Sequence, residues 1–401
     1  MKKIAIVSSY DEGCGNAYFT EILVSSLKND DTQVECLGLN LKLTQSISSN
    51  TRKKADRHID EMCEKLKDYD GVNIQLESGL YGTLPQDIKR RLKKLIRANK
   101  NTSVTLHSPR LISNSSNSRN IIKLFLKLRL LSALRLYFSS RLDDIPIKLN
   151  HSLIKMCVNN GINLIVHTER AKSQIKLFFD YDKVLVHPLK IVHENYKEDN
   201  NLLNRIKGKY NFGENDVVIG MFGFINEYKG HTLAIEAMSI LPSNYKLLFF
   251  GRQHPQTLKQ NTLVDPYLNK LQTMISKNAA LKDRVFFMGE YDTPSFINLA
   301  ASVDFCWLPY VENGQDGSGI ASICLDVSKK VMLSSSFAFD ELLKLESRKT
   351  GFNRFDIGNA YELASKTKFD DIVKFNKSLE FEKYTLKTQA EIYIYSIFGS
   401  I

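Results

Sequence analysis

Short apolar runs, each followed by a helical stretch, recur along this chain in two series separated by one polar segment. The first series comprises residues 4–8 (IAIVS), 34–39, 71–75 (GVNIQ), 103–107 (SVTLH), 164–167 (LIVH) and 183–188 (KVLVHP). Helices are predicted between them over 17–27 and 53–66, in a basic stretch ending at Arg97, and in a long region after His107. Residues 194–215 (ENYKEDNNLLNRIKGKYNFGEN) are polar and charged. The pattern then restarts with runs at 217–222, 246–250, 285–288 and 303–308, and helices from His231, near 265–276 and from Pro294. A tail from about Glu380 reads as one last amphipathic helix. Strands alternating with helices imply βαβ units and parallel sheets. The expected class is α/β, with two Rossmann-like doubly wound domains facing a central cleft. Ligands in such sheets lie beyond the carboxyl ends of the strands. The expected domains are 1–195 and 196–378, with a final helix, 379–401, packing back on the first.

A chain of 401 residues exceeds one ordinary core, in line with two domains. Its 43% apolar and 25% charged residues describe a folded globular protein. Six cysteines (Cys14, Cys36, Cys63, Cys157, Cys306 and Cys324) show no C-x-x-C pair and no metal-ligand spacing. They read as reduced core residues of a cytosolic protein. The opening MKKIAIVSSYDEG has too short an apolar stretch for a signal peptide and reads as a first strand. No window offers the ~18 uncharged apolar residues of a membrane-crossing helix. The nearest, residues 121–138, is broken by Lys123, Lys127, Arg129 and Arg135. It reads either as a helix lying on an anionic membrane or as a core helix with snorkelling side chains, and its apolar character all round favours burial.

The net charge of +11 is concentrated in residues 52–57 (RKKADR), 89–97 (KRRLKKLIR) and 119–141. All three clusters fall in the first half, which points to an anionic partner for that half. Any one of them alone is an ordinary solvated helix face. They lack interleaved aromatics and accompany no nucleic-acid motif, so nucleic acid is not an expected partner.

Each candidate loop follows a predicted strand. Gly13 and Gly15 permit a tight turn after the first strand, although the loop is not G-x-G-x-x-G. After the restart, Lys229 stands in a glycine-bounded strand-to-helix turn, Gly223 to Gly230, where its ammonium can pair with phosphate. It is not a Walker A sequence. Arg252 offers a second cation after the next run. Residues 311–330 (VENGQDGSGIASICLDVSKK) place glycines and Ser318 just before a helix, where backbone N–H groups suit a phosphate. His107 and His167 end their strands on the ligand side, as do Gln75 and Glu77. For each residue alone, an exposed turn or a satisfied structural side chain is the plain alternative. No Ser-His-Asp order, H-E-x-x-H or metal cluster is present, which argues against hydrolases and metalloenzymes.

Taken in order, these segments resemble the family-4 retaining glycosyltransferases of the two-Rossmann, GT-B type. The likeness is carried by CGNAYFTEIL (14–23), YDGVNIQLESGLYG (69–82), VTLH (104–107), FGFINEYKGHTLAIEAM (222–238) and VFFMGEYDTPSFINLAASVDFCWLPY (285–310). The resemblance implies a nucleotide-diphosphate sugar as donor. It assigns catalytic roles to His107, Lys229 and Asp316. Gly15, Arg252, Ser318, Gly319 and Ile320 would surround the donor diphosphate. Backbone at Gly289, Glu290 and Tyr291 would meet the base, and Gln75, Glu77 and His167 would lie on the acceptor side. The implied reaction is sugar transfer with retention. No metal is expected, because cations and amides take its place, and no D-x-D occurs.

Two features depart from the family pattern. The paired glutamates eight positions apart are missing: Glu312, Gln315 and Asp316 are followed at that spacing by Ile320, Ile323 and Cys324. The arginine often found six residues before the glycine of the K-G pair is Phe224. The first expectation is thus an enzyme acting on a surface polysaccharide or lipid-linked glycan, in the cytoplasm at the inner face of the cell membrane, with peripheral membrane contact through its basic first domain. The second is a non-catalytic partner of another transferase that keeps the fold.

Overall fold

The computed structural model describes residues 1–10, 15–112, 130–193, 196–253, 265–312, 315–345, 351–371, 373–374 and 384–399. For residues 130–144 and 373–374 only the backbone is described. The chain divides into two compact units. One comprises Met1–Pro188 with Thr385–Ile401, and the other Leu189–Tyr384.

The first unit carries a six-stranded sheet in the order β2-β1-β3-β4-β5-β6. Its strands are β1 (Lys2–Ser8), β2 (Thr32–Gly38), β3 (Gly71–Leu76), β4 (Thr102–Leu106), β5 (Asn163–Val166) and β6 (Val184–Val186). All pairings are parallel. Ile4, Ile6, Val72, Ile74, Val104 and Leu164 are wholly buried, because helices cover both faces and leave the strands as continuous apolar runs. Successive strands lie to opposite sides of β1, so the order reverses between β1 and β3.

The second unit carries seven strands: β7 (Val217–Phe222), β8 (Tyr245–Phe250), β9 (Val285–Gly289), β10 (Phe305–Leu308), β11 (Lys330–Ser334), β12 (Gly351–Phe355) and β13 (Val373–Lys374). Their order is β13-β12-β11-β10-β7-β8-β9. Only β13 is antiparallel among the described pairings. The first six follow the 3-2-1-4-5-6 order of dinucleotide-binding sheets, whose reversal, here between β7 and β10, opens a crevice at the carboxyl ends.

The last helix, Leu386–Phe398, belongs to the first unit. Thr385 caps it, its side chain accepting from the Thr388 amide while the Thr388 hydroxyl accepts from the Thr385 amide. Tyr393, Ser396 and Ile397 are buried. Ser396 Oγ donates to Ser103 Oγ at 3.0 Å, and Asn163 Nδ2 donates to the Ser396 carbonyl at 2.7 Å. The helix therefore completes one side of the first sheet.

Two of the basic clusters are partly consumed by ion pairs within the first unit. Helices Ser49–Leu66 and Pro85–Ala98 pair Arg52 with Asp87 (2.6 Å), Arg90 with Asp56 (2.6 Å) and Arg91 with Asp56 (2.8 Å). Arg91 is buried and also donates to the Tyr81 carbonyl at 2.7 Å. Hydrogen bonding from Arg52 leads the causes that hold the Asp87 carboxyl below the usual carboxylate range. The third cluster, 119–141, and the surroundings of residues 121–138 lie outside the described residues, save the helical backbone of Leu130–Asn159. Among the described residues no helix is long and apolar enough to cross a membrane.

Candidate functional site

In the second unit, Lys229 ends a short 3-10 turn, Glu227–Lys229, between β7 and the helix His231–Ile240. Gly230 follows with φ of +74°, and a Cβ there would collide with the Pro309 carbonyl, so glycine is required on both counts. This turn folds the Lys229 side chain back into the protein, where it is 5% exposed. Its Nζ donates to the Phe222 carbonyl at 3.1 Å and stands 6.0 Å from the centre of the Tyr310 ring. Burial pushes the Lys229 ammonium down to about 8, with Cys324 acting weakly against it. The neighbouring His231 is pushed down to about 3, first by burial and then by Lys229.

Across the strand reversal, β10 leads through Pro309 and Tyr310 to Ser318, the N-cap of helix Gly319–Val327. Ser318 Oγ accepts from the Ala321 amide at 3.1 Å and meets the Tyr310 hydroxyl at 3.0 Å. The helix supplies no acceptors for the amides of its first turn, Gly319 and Ile320 among them, which is the geometry of an anion site. Asp316 is buried in the loop just before it. The segment 189–191 supports the same helix: Ser322 Oγ donates to the Leu189 carbonyl at 2.6 Å, and Lys190 pairs with Asp326 at 2.9 Å.

The loops after β7, β8 and β9 are laced together by backbone. Gly223 N–H donates to Phe250 O at 2.9 Å, Ile225 N–H to Arg252 O at 2.8 Å, and Gly251 N–H to Gly289 O at 2.8 Å. Arg252 pairs with Glu290 at 3.2 Å and lies 5.8 Å from the centre of the Phe224 ring. Tyr291 packs edge-on against Phe250.

In the first unit, register pairs Thr105 with Ile165, so His107 and His167 leave the sheet side by side two residues later. Their rings contact through His107 Nδ1 and His167 Nε2 at 3.2 Å. His107 Nε2 meets Gln75 Oε1 at 2.7 Å, and His167 Nδ1 donates to the His187 carbonyl at 3.0 Å. Both ring nitrogens of His107 are thus engaged within the protein. Burial lowers both imidazoles, His107 well below its ordinary value and His167 to about 4. Phe19, from helix Gly15–Leu27, stands edge-on to both rings at 5.5 and 6.0 Å. Gly15 opens that helix, and the preceding loop, 11–14, lies outside the described residues.

Gln75 is buried and donates to Asn73 Oδ1 at 2.5 Å. Glu77 lines a small cavity with Ser78, Ser108 and Asn150. Burial raises its carboxyl above the usual range, while Ser108 and Arg110 act against the shift. Gln75, His107 and His167 therefore form one hydrogen-bonded group, with Glu77 just beyond β3. In the second unit Lys229, Ser318, Gly319 and Ile320 gather at the strand reversal, while Arg252, Gly289, Glu290 and Tyr291 line the neighbouring loops. Sequence reasoning missed Tyr310 and His187. His187 carries the same signal as the two singled-out histidines, since it follows a strand directly. Among the described residues no group of three or more His, Cys, Asp or Glu side chains is placed to hold a metal.

No protein-family model matches the chain, and no curated protein is similar to it in sequence. Solved structures do share its fold. HepE from Anabaena, crystallised with UDP-glucose, is 14% identical with a TM-score of 0.60, over 99% of this chain and 96% of that one. WaaG, a glycosyltransferase involved in lipopolysaccharide biosynthesis, is 12% identical with a TM-score of 0.60, over 99% and 100%. A glycosyltransferase from Rickettsia africae is 15% identical with a TM-score of 0.58, over 100% and 94%. The fold is GT-B along the whole chain.

Proposed function

Taking the GT-B fold as premise, we propose that this protein transfers a sugar from a nucleotide-diphosphate sugar to a polysaccharide or lipid-linked glycan, with retention at the anomeric carbon. One observation carries the reading: a buried lysine, Lys229, and the N-terminus of helix Gly319–Val327 share the strand reversal of the second sheet. That pairing supports a diphosphate held by an ammonium on one side and by the amides of Ser318, Gly319 and Ile320 on the other. Asp316 lies buried in the loop that leads to these amides. Backbone at Gly289, Glu290 and Tyr291 receives the base. Gln75, Glu77 and His167 form the acceptor side, with His107 toward the sugar.

In the transfer, the bond between the anomeric carbon and the diphosphate oxygen breaks as the acceptor oxygen attacks the same face. The acceptor proton passes to the departing diphosphate. Lys229 and the helix amides stabilise the charge that grows on that group, so the work is positioning and electrostatics. These groups offset part of the diphosphate charge, as a metal would elsewhere. Exposed Lys53, Lys54, Arg57, Lys93 and Arg97 on two neighbouring helices suit an anionic membrane surface where lipid-linked acceptors reside.

The departure at Gln315 and Ile323 from the paired glutamates favours a second reading, a nucleotide-binding subunit that supports another transferase. Calorimetric titration with UDP, GDP, ADP and CMP, wild type beside Lys229→Ala, tests the first reading. Binding of one diphosphate that fails in the variant is expected. Sugar release from the matching donor, also lost in the variant, separates enzyme from subunit. If no nucleotide binds at high protein concentration, the donor reading is wrong.

A further inference from the structure

Arg252 and Glu290 leave β8 and β9 as an ion pair of 3.2 Å, and each side chain is close to half exposed, at 44% and 48%. Such pairs are weak and readily exchanged for a stronger anion. The pair stands beside a strip of bare backbone. A Cβ at Gly251 would collide with the Gly223 carbonyl, and one at Gly223 would collide with Lys229 Nζ. Two cations therefore flank the same glycine strip, Lys229 buried on one side and Arg252 exposed on the other. A diphosphate carries two to three negative charges, and one ammonium does not neutralise it. A guanidinium can take two phosphate oxygens at once.

We propose that Glu290 is a positioning residue that holds Arg252 in reserve, and that an incoming nucleoside diphosphate displaces it, taking Arg252 as the second cation of the donor site. The inference rests on the donor reading above and adds to it a competition between a carboxylate and the ligand for one guanidinium. The Glu290 side chain needs no contact with the nucleotide, and the backbone that would receive the base is unchanged in Glu290→Gln. Its effect is exerted only on ligands that reach Arg252.

Titration calorimetry at fixed ionic strength tests this, each nucleoside diphosphate (UDP, GDP and ADP) being paired with its own nucleoside. Arg252→Ala should weaken the diphosphate about tenfold and leave the nucleoside unchanged. Glu290→Gln should tighten the diphosphate about threefold, again with no change for the nucleoside. In Arg252→Ala/Glu290→Gln the gain should vanish, because nothing is left to release. Thermal unfolding of all three variants should match wild type, since the pair is solvent-exposed. The proposal is overturned if Glu290→Gln leaves diphosphate affinity unchanged or lowers it, if the gain survives without Arg252, or if nucleoside affinity shifts in step. Tight wild-type binding with any of these results sinks this inference alone. Absence of nucleotide binding by wild type sinks the donor reading, and this inference with it.

Discussion

Gly223 lies directly beneath the Lys229 ammonium, so close that no side chain fits between them. With φ of +88° at Gly223, the backbone also sits where L-residues are strained. The strand β7 is thus followed by a residue whose absence of a side chain makes room for a buried cation at the strand reversal.

Gly223→Ala should therefore act on binding as well as folding. We expect a stability loss of about 1–2 kcal/mol from the positive φ and the crowding. Nucleoside diphosphate affinity should drop to the level of Lys229→Ala, because the ammonium is displaced. Urea unfolding and calorimetry on the same preparations check both. Affinity equal to wild type would show that Lys229 does not need its present position.

Lys229 makes folding and binding depend on pH in opposite directions. Its folded value, about 8, lies below the ordinary lysine value of 10.5. Between these values the unfolded chain holds the proton that the folded chain has released, so stability rises with pH across that window. The gain is on the order of 3 kcal/mol. Diphosphate binding, which wants the ammonium, should weaken as pH climbs through 8. Lys229→Met should flatten both trends. A pH-independent affinity from 7 to 9.5 in wild type would contradict the assignment.

His167 contributes at the acid end. Its folded value of about 4 lies below the ordinary 6.5. The unfolded chain therefore binds the extra proton in between, and stability is lost as pH falls from about 6.5 toward 4, by roughly 3 kcal/mol. The His187 carbonyl only accepts, so a neutral His167 carries its proton on Nδ1 and accepts from His107 Nδ1–H. His107 Nε2 then turns a lone pair to Gln75 Oε1, so in the neutral pair the Gln75 amide turns over from the orientation described above, its NH₂ toward the ring and its oxygen toward an Asn73 amide turned with it. Nitrogen NMR at pH 7 should show both rings as Nδ1–H tautomers. Gln75→Glu should bring a protonated imidazole into view at the same pH. Two Nε2–H tautomers would refute the chain.

Gly71 tests the seat of the last helix. A Cβ there would collide with Ile397 and crowd Phe398. Gly71→Ala should cost about 1–3 kcal/mol by overpacking, and Gly71→Val more. Ile397→Ala in the Gly71→Ala background should recover part of the loss, since the methyl then has space. Additive losses in a denaturation series would show that the two do not meet.

Much of the fold was legible in the chain. Strands covered on both faces read as unbroken apolar runs, and the run at 217–222 and the helix start at His231 coincide with β7 and its following helix. β12, with the sequence GFNRF, lacks such a run and was not read. Nor was the helix Glu169–Phe179, which follows β5 with only two residues between. The loop positions of the site were legible for the same reason, since each ends an apolar run. Their pairings were not. His107 finds Gln75 and His167 because β4 lies between β3 and β5, and Arg252 finds Glu290 because β8 lies beside β9. Sheet order, not spacing along the chain, creates these contacts.

The helix that closes the first sheet is translated only after the whole second unit. Between Pro188 and Thr385 the ribosome must add about 200 residues, the whole second unit. At roughly 5–20 residues per second this takes on the order of 10–40 s. For that interval the side of the first unit that Tyr393, Ser396 and Ile397 will cover stands open, with Gly71 and Ser103 bare on it. The nascent first unit thus keeps that face uncovered until the helix arrives, whatever the speed at which its own six strands pair.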